Sequence, residues 1–444
     1  MIELLVTAPA SNSGKTTCSC ALLELLRRQG LSPCAFKCGP DYIDPMFHRA
    51  VLGLPSHNLD LFLMGEETVK KQYARYSAGH TAVLVEGVMA HYDGVGGTDH
   101  ASAWHLAGTL SLPALLVLRP GQEPLVPQIL SRPDHHIRAL LLCDYDPVEA
   151  GLAIATLEPE TGLPVLGVLP HREEAAFPRR HLGLITADEQ QDLAGRVALL
   201  ADALEEHLDF DRFTALFTTD RPAVSLTPGP VPPAKCTIAV ARDEAFCFLY
   251  AEALDALREA GAELRFFSPL RDEELPVCDG LYLPGGYPEL HAKELSDNDA
   301  LRRDIFRAVR GGLPTVAECG GFLYLGKELM DNEDQSHPMC GVFDGTGIRT
   351  DRPVRFGYAE LTATYSGLLL DAGQTVPVHS FHYWDSTENG SDLHAVKPGS
   401  GRTWETGFVS ETLYAAFEHL HFAGTPECLR RFVAACVRQR EKAR

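Results

Sequence analysis

Short apolar runs alternate with amphipathic stretches along the first half of the chain. Ile2–Thr7, Ala82–Val85, Ala114–Leu118, Ile137–Leu142 and Val165–Leu169 have the length and apolar content of buried strands. Thr16–Arg28 instead carries Ala21, Leu22, Leu25 and Leu26 on one side and ends in basic residues, the pattern of an amphipathic helix. This alternation predicts a mostly parallel sheet with helices on its faces. Residues 236–330 repeat it, with strands at Thr237–Ala241, Glu263–Phe267, Leu281–Leu283 and Pro314–Val316 and helices over Phe246–Ala260 and Leu301–Arg310. From Met339 to Gly407 the runs shorten and become strand-rich, and Pro426–Arg438 reads as a closing helix.

The two halves are separated by Arg221–Lys235, a proline-rich stretch with the period of neither helix nor strand. We read it as a linker between an N-terminal domain, 1–220, and a C-terminal domain, 236–444, and the chain of 444 residues is long enough for both. The fold class expected is therefore α/β in two domains.

Composition narrows the partners. Apolar residues make up 45% and charged residues 22%, a globular profile. No apolar run is long enough to span a bilayer, and the strand beginning at Ile2 leaves no room for a signal peptide. The net charge of −21 opposes binding to nucleic acid or anionic lipid. The twelve cysteines are scattered, without CxxC or zinc-finger spacing, and read as reduced thiols of a cytoplasmic protein.

Candidate chemistry sits at both ends. Ala8–Thr17 follows the first strand and opens the first helix, so the backbone around Ser13, Gly14 and Thr17 can cradle phosphate. Lys15 would reach the terminal phosphates and Thr16 a Mg²⁺ ion, although Pro9 stands where a P-loop has its first glycine. Carboxylates for the metal are offered by the Gly/Pro loop carrying Asp41 and Asp44, by Glu86 at a strand end, and by Asp93 just beyond it. In the second half, Cys319 is followed by Gly320 and Gly321 at a strand-to-helix turn, the small neighbours a displayed nucleophile requires. Gly285 and Gly286, at the preceding strand end, could furnish an oxyanion hole together with Gly320. His419, with His421 beside it, is the candidate base for the thiol.

These pieces, in this order, resemble the cobyrinic acid a,c-diamide synthase family. The resemblance is carried by Ser13–Thr17, Phe36–Pro45, Val85–Met89 with Tyr92–Gly94, Arg180–Leu184, Ala241–Phe246, Phe267–Pro269, Gly285–Glu289, Ala317–Gly321, Phe356–Tyr358, Phe381–Tyr383 and His419–His421. It implies a dethiobiotin synthetase-like P-loop domain joined to a class I glutaminase-like domain. It further implies that Cys319 and His419 release ammonia from glutamine, while ATP and Mg²⁺ at Lys15, Thr16, Glu86 and Asp41 activate a corrinoid acetate as an acyl phosphate. Asp41 and Asp93 match acidic positions serving the activated carboxylate or the metal, and homodimerisation is left open. Arg180 and His181 are either contacts for substrate carboxylates or surface charge. The chain departs from the family at Arg119, at Cys143-Asp-Tyr145 and at Ser380, which stand where relatives have Asp, Asn-Arg-Val and Glu, and Pro124 and Pro127 interrupt a helix. Amidation of another tetrapyrrole, such as nickel-sirohydrochlorin or hydrogenobyrinic acid, shares all these motifs. A P-loop switch protein with an inert second domain is the alternative of a different class.

Overall fold

The computed structural model describes residues 1–180, 183–221 and 233–442, with backbone alone at 179, 180, 183 and 188. The chain divides into two compact units, Met1–Pro228 and Gly229–Arg444.

The first unit is built on a seven-stranded sheet. Its strands are β1 (Ile2–Thr7), β2 (Pro33–Cys38), β3 (His57–Leu59), β4 (Ala82–Glu86), β5 (Ala114–Leu118), β6 (Ile137–Tyr145) and β7 (Val165–Pro170). They lie in the order β3-β2-β4-β1-β5-β6-β7, and every pair is parallel. Leu4 and Val6 join one core cluster, while the alternate residues Leu5 and Thr7 are equally inaccessible. Burial of both sets means that both faces of the sheet are covered, as parallel sheets require. One cover is helix α1 (Lys15–Arg28), whose Cys18, Leu22 and Leu25 share that cluster with Leu200 and Leu204 of the helix Leu193–His207. β2 and β3 were not among the five expected strands. Pro124 and Pro127 leave only a short turn and the helix Val126–Leu130 after β5.

The second unit has a six-stranded sheet of β8 (Cys236–Ala241), β9 (Ala262–Phe267), β10 (Gly280–Leu283), β11 (Thr315–Glu318), β14 (Phe408–Val409) and β15 (Leu413–Ala416), ordered β9-β8-β10-β11-β15-β14. Only β14 runs antiparallel. Between β11 and β14 the chain forms a separate sheet around the long antiparallel pair β12 (Thr346–Ala363) and β13 (Thr375–Ser386). The expected helix over Phe246–Ala260 is shorter, Ala251–Glu259, because Phe248 is drawn into a bridge with Gly285 instead. No helix among the described residues is long and apolar enough to cross a membrane.

Candidate functional site

Strand register assembles the phosphate-binding end. Glu86 pairs with Val6 of β1 on one side and with Lys37 of β2 on the other, so the last residue of β4 stands between the P-loop and the loop after β2. Gly14 begins α1 in a left-handed conformation, φ 91°, and a Cβ there would lie 2.5 Å from the Cys143 sulfur. Only glycine fits that turn. Arg119 donates to the Asn12 carbonyl at 2.9 Å and pairs with Asp144, while Gln122 donates to the Ser13 hydroxyl at 2.9 Å. The departures at Arg119 and Cys143 thus brace the P-loop from the β5 and β6 strand ends.

Within the loop, the Lys15 ammonium donates to the Met89 carbonyl at 2.7 Å, and burial followed by repulsion from Lys37 brings its pKa down to about 8. The Thr16 hydroxyl lies 2.8 Å from Glu86 and 3.2 Å from Asp44, and Thr17 is half-buried beside it. Lys37, nearly inaccessible, donates to Glu86 at 2.9 Å and meets Asp44 at 2.6 Å. His48 meets the second oxygen of Glu86 at 2.8 Å and is held from behind by Ser56 at 3.0 Å. Burial disfavours charge on Glu86, but Lys37 and His48 outweigh it and hold the carboxyl well below its usual range. Burial, then the charge of Asp41, push Asp44 up to about 8 against the pull of Lys37.

Asp41 is anchored by the backbone that follows it. Its carboxylate accepts the backbone N–H groups of Ile43 and Asp44 at 2.8 and 3.0 Å, capping helix α2 (Ile43–Leu52), and it is Asp44 that reaches Thr16. Asp93 is exposed, outside the buried charges. Arg180 by its side chain and His181 altogether lie outside the described residues. Among the described residues no group of three or more His, Cys, Asp or Glu is arranged for a metal. The Thr16 hydroxyl with the Glu86 and Asp44 carboxylates is nevertheless a hard-oxygen set of the kind Mg²⁺ takes together with nucleotide phosphates.

The thiol end is set by another register. Glu318, the last residue of β11, is paired with Ala416 of β15, so Cys319 and His419 leave adjacent strands side by side. Cys319 has φ 48° and ψ −103°, a strained elbow between β11 and the helix Gly320–Leu325, fixed by its N–H to the Ala416 carbonyl at 2.9 Å. Gly321 lets that helix settle on β10, since a Cβ there would be 2.1 Å from the Leu283 carbonyl. Gly286 N lies 3.1 Å from where a Gly320 side chain would begin, so the two glycine turns approach closely. A Cβ on Gly285 would be 2.5 Å from His419 Cε1, so that glycine makes room for the imidazole. Cys319 and His419 face each other closely enough for each to influence the other's charge. Burial works against charge on His419, but Cys319 and then Glu318 outweigh it and push its pKa up to about 10.

The surroundings are buried histidines and aromatic rings. The backbones of His379 and His419 exchange hydrogen bonds at 3.2 and 2.8 Å, tying β13 to the site, and His382 stacks on Phe417. Ser380, between them, is fully buried. His421 meets Glu252 at 2.9 Å. Sequence motifs named the thiol, the imidazole and the glycines. They did not single out Lys37, His48 or Glu318, whose parts depend on strand register.

The profile of a CobB/CobQ-like glutamine amidotransferase domain matches residues 237–427. Over nearly the whole chain, the protein is similar to the cobyrinate a,c-diamide synthases of Caldanaerobacter subterraneus subsp. tengcongensis (34% identical, 97% of this chain and 98% of that one), a Synechococcus species (37%, 98% and 98%) and Gloeobacter violaceus (37%, 98% and 97%).

Proposed function

The chain belongs to the cobyrinate a,c-diamide synthase family, and from that premise we propose that its two units divide one reaction between a thiol site and a nucleotide site. The enzyme amidates the a and c acetate side chains of cobyrinic acid, with glutamine as nitrogen donor and ATP as activator. The observation that carries this reading is the contact between Cys319 and His419 beside a turn of glycines, an arrangement an inert domain has no need of.

At the thiol site, His419 holds the Cys319 proton as an imidazolium, and the thiolate attacks the glutamine carboxamide. The C–N bond breaks, the imidazolium returns its proton to the departing ammonia, and water then hydrolyses the thioester to glutamate. The N–H groups of Gly286 and Gly320 stabilise the oxyanion. At the nucleotide site, an acetate oxygen of the corrinoid attacks the γ-phosphorus of ATP and ADP leaves. Ammonia adds to the acyl phosphate and phosphate departs. Ammonia cannot displace hydroxide from a carboxylate, so this activation comes first. Ser13, Gly14, Lys15 and Thr17 hold the nucleotide phosphates. Mg²⁺ would be held by Thr16, Glu86 and Asp44 and would neutralise charge on the transferring phosphoryl group. The Asp41 carboxylate keeps Asp44 in place by capping its helix, and Asp93 faces the corrinoid. All twelve cysteines are free, which supports residence in the reducing cytoplasm.

Mass spectrometry of the product from cobyrinic acid, ATP, Mg²⁺ and glutamine tests the assignment. Conversion of two carboxyls to amides is expected; no gain with cobyrinic acid, but diamidation of nickel-sirohydrochlorin, would overturn it.

A further inference from the structure

A base in an acyl-transfer site is held and charged by a third group. The segment that carries His419 does not supply one. Glu418 is occupied by the Trp404 indole at 2.8 Å and the Thr406 hydroxyl at 3.0 Å, and His421 is engaged by Glu252. The neighbouring carboxylate comes from the other strand. Glu318, directly before the nucleophile and 1% exposed, turns across to the histidine. Its Oε1 accepts the backbone N–H of Leu420 at 2.9 Å, and its Oε2 accepts the Tyr282 hydroxyl at 2.9 Å while standing 3.8 Å from His419 Nδ1.

We infer that Glu318 is the positioning carboxylate of the glutamine site, holding Nδ1 of His419 so that the opposite edge of the imidazole addresses Cys319. The inference rests on the reading of Cys319 and His419 as the ammonia-releasing pair. Placement immediately before the nucleophile has a physical logic. The elbow that strains Cys319 and the carboxylate that steers its base belong to one strand end, so a single register, Glu318 opposite Ala416, sets both. The Leu420 N–H fixes the carboxylate to the segment bearing His419, and Tyr282 from β10 fixes its outer oxygen. When the thiol proton reaches the imidazole, the Nδ1–H of the imidazolium faces an anion already in place. No proton need pass to Glu318. Cys319 and the two histidines of β13 also stand against His419, and burial takes the pKa of His379 and of His382 down to about 3, so both stay neutral. Glu318 is therefore the anion that can compensate the imidazolium through the whole cycle.

The test uses the full-length enzyme with Glu318→Gln, Glu318→Asp and Tyr282→Phe. Glu318→Gln is expected to lower kcat for the glutamine-dependent reaction about 100-fold with glutamine KM little changed, and to leave the ammonia-dependent reaction intact. The alkaline limb of the kcat profile, where the imidazolium is lost, should move down by about one pH unit or more, because the cation has lost its neighbour. Glu318→Asp should restore that limb part of the way. Tyr282→Phe, which leaves the carboxylate but removes its competing hydrogen bond, should move the limb upward. Should Glu318→Gln lose the ammonia reaction as well, Tyr282→Phe decides by the direction of its limb. An unmoved limb in both Glu318→Gln and Tyr282→Phe overturns the inference while the reading of the pair stands. A wild-type enzyme that releases no ammonia from glutamine overturns the reading itself.

Discussion

The two sites are organised by opposite means. At the thiol site the backbone does most of the positioning: a positive φ at Cys319, glycines whose missing Cβ atoms make room, and a strand register that sets the imidazole beside the sulfur. At the nucleotide site the backbone supplies left-handed turns at Asn12, Gly14 and Gly39, and the rest is a packed set of ionisable groups, Lys15, Lys37, Asp44 and Glu86, coupled to one another before any phosphate arrives. A site that attacks a neutral amide can be shaped by sterics. A site that receives a polyanion and a metal has to store compensating charge.

That contrast can be broken at several points. The largest effect belongs to Cys319→Ala, which should lower glutamine-dependent turnover on the order of 10⁴-fold while leaving turnover with ammonium chloride near wild type. Next comes Lys37→Met, which strands two buried carboxylates. Both glutamine- and ammonia-dependent rates should fall, by about 10³-fold, and urea denaturation should show a loss of about 3–5 kcal/mol. Gly285→Ala should cost about 100-fold with glutamine alone, because its new methyl displaces the His419 ring, and kinetics with ammonia should not change.

The smallest effect is on stability against pH. The His419 pKa, about 10 in the folded protein, lies above its ordinary value of about 6.5, so charging it favours folding. That contribution is complete below about pH 6.5 and is lost as pH rises through about 10. The stability difference between wild type and His419→Asn should therefore shrink between those limits in denaturation curves.

Much of this was legible in the sequence, and what was missed has a common cause. β5 is a continuous apolar run and β1 a mostly apolar one, and both were read to the residue. β2 was passed over because Pro33 opens it and Lys37 sits inside it, and β3 is too short to show a period. The Cys319 elbow and Gly14 announce themselves by local residue type. Lys37, His48 and Glu318 have no local signature. Each is defined by which residue stands opposite on the next strand or helix, and that is fixed only when the sheet closes. Asp44 was visible as one of two acids in a loop, but the choice between it and Asp41 depended on which one capped the helix.

The central claim is that one thiol site supplies nitrogen to a separate ATP-dependent site. It is tested most directly by mass spectrometry of the corrinoid product formed from amide-¹⁵N glutamine in the presence of unlabelled ammonium, with wild type and Cys319→Ala compared. The account requires two amides in each product, with ¹⁵N incorporated by the wild type and only unlabelled nitrogen in the variant. Amides still carrying ¹⁵N in the variant, or none formed at all by a folded variant, would contradict it.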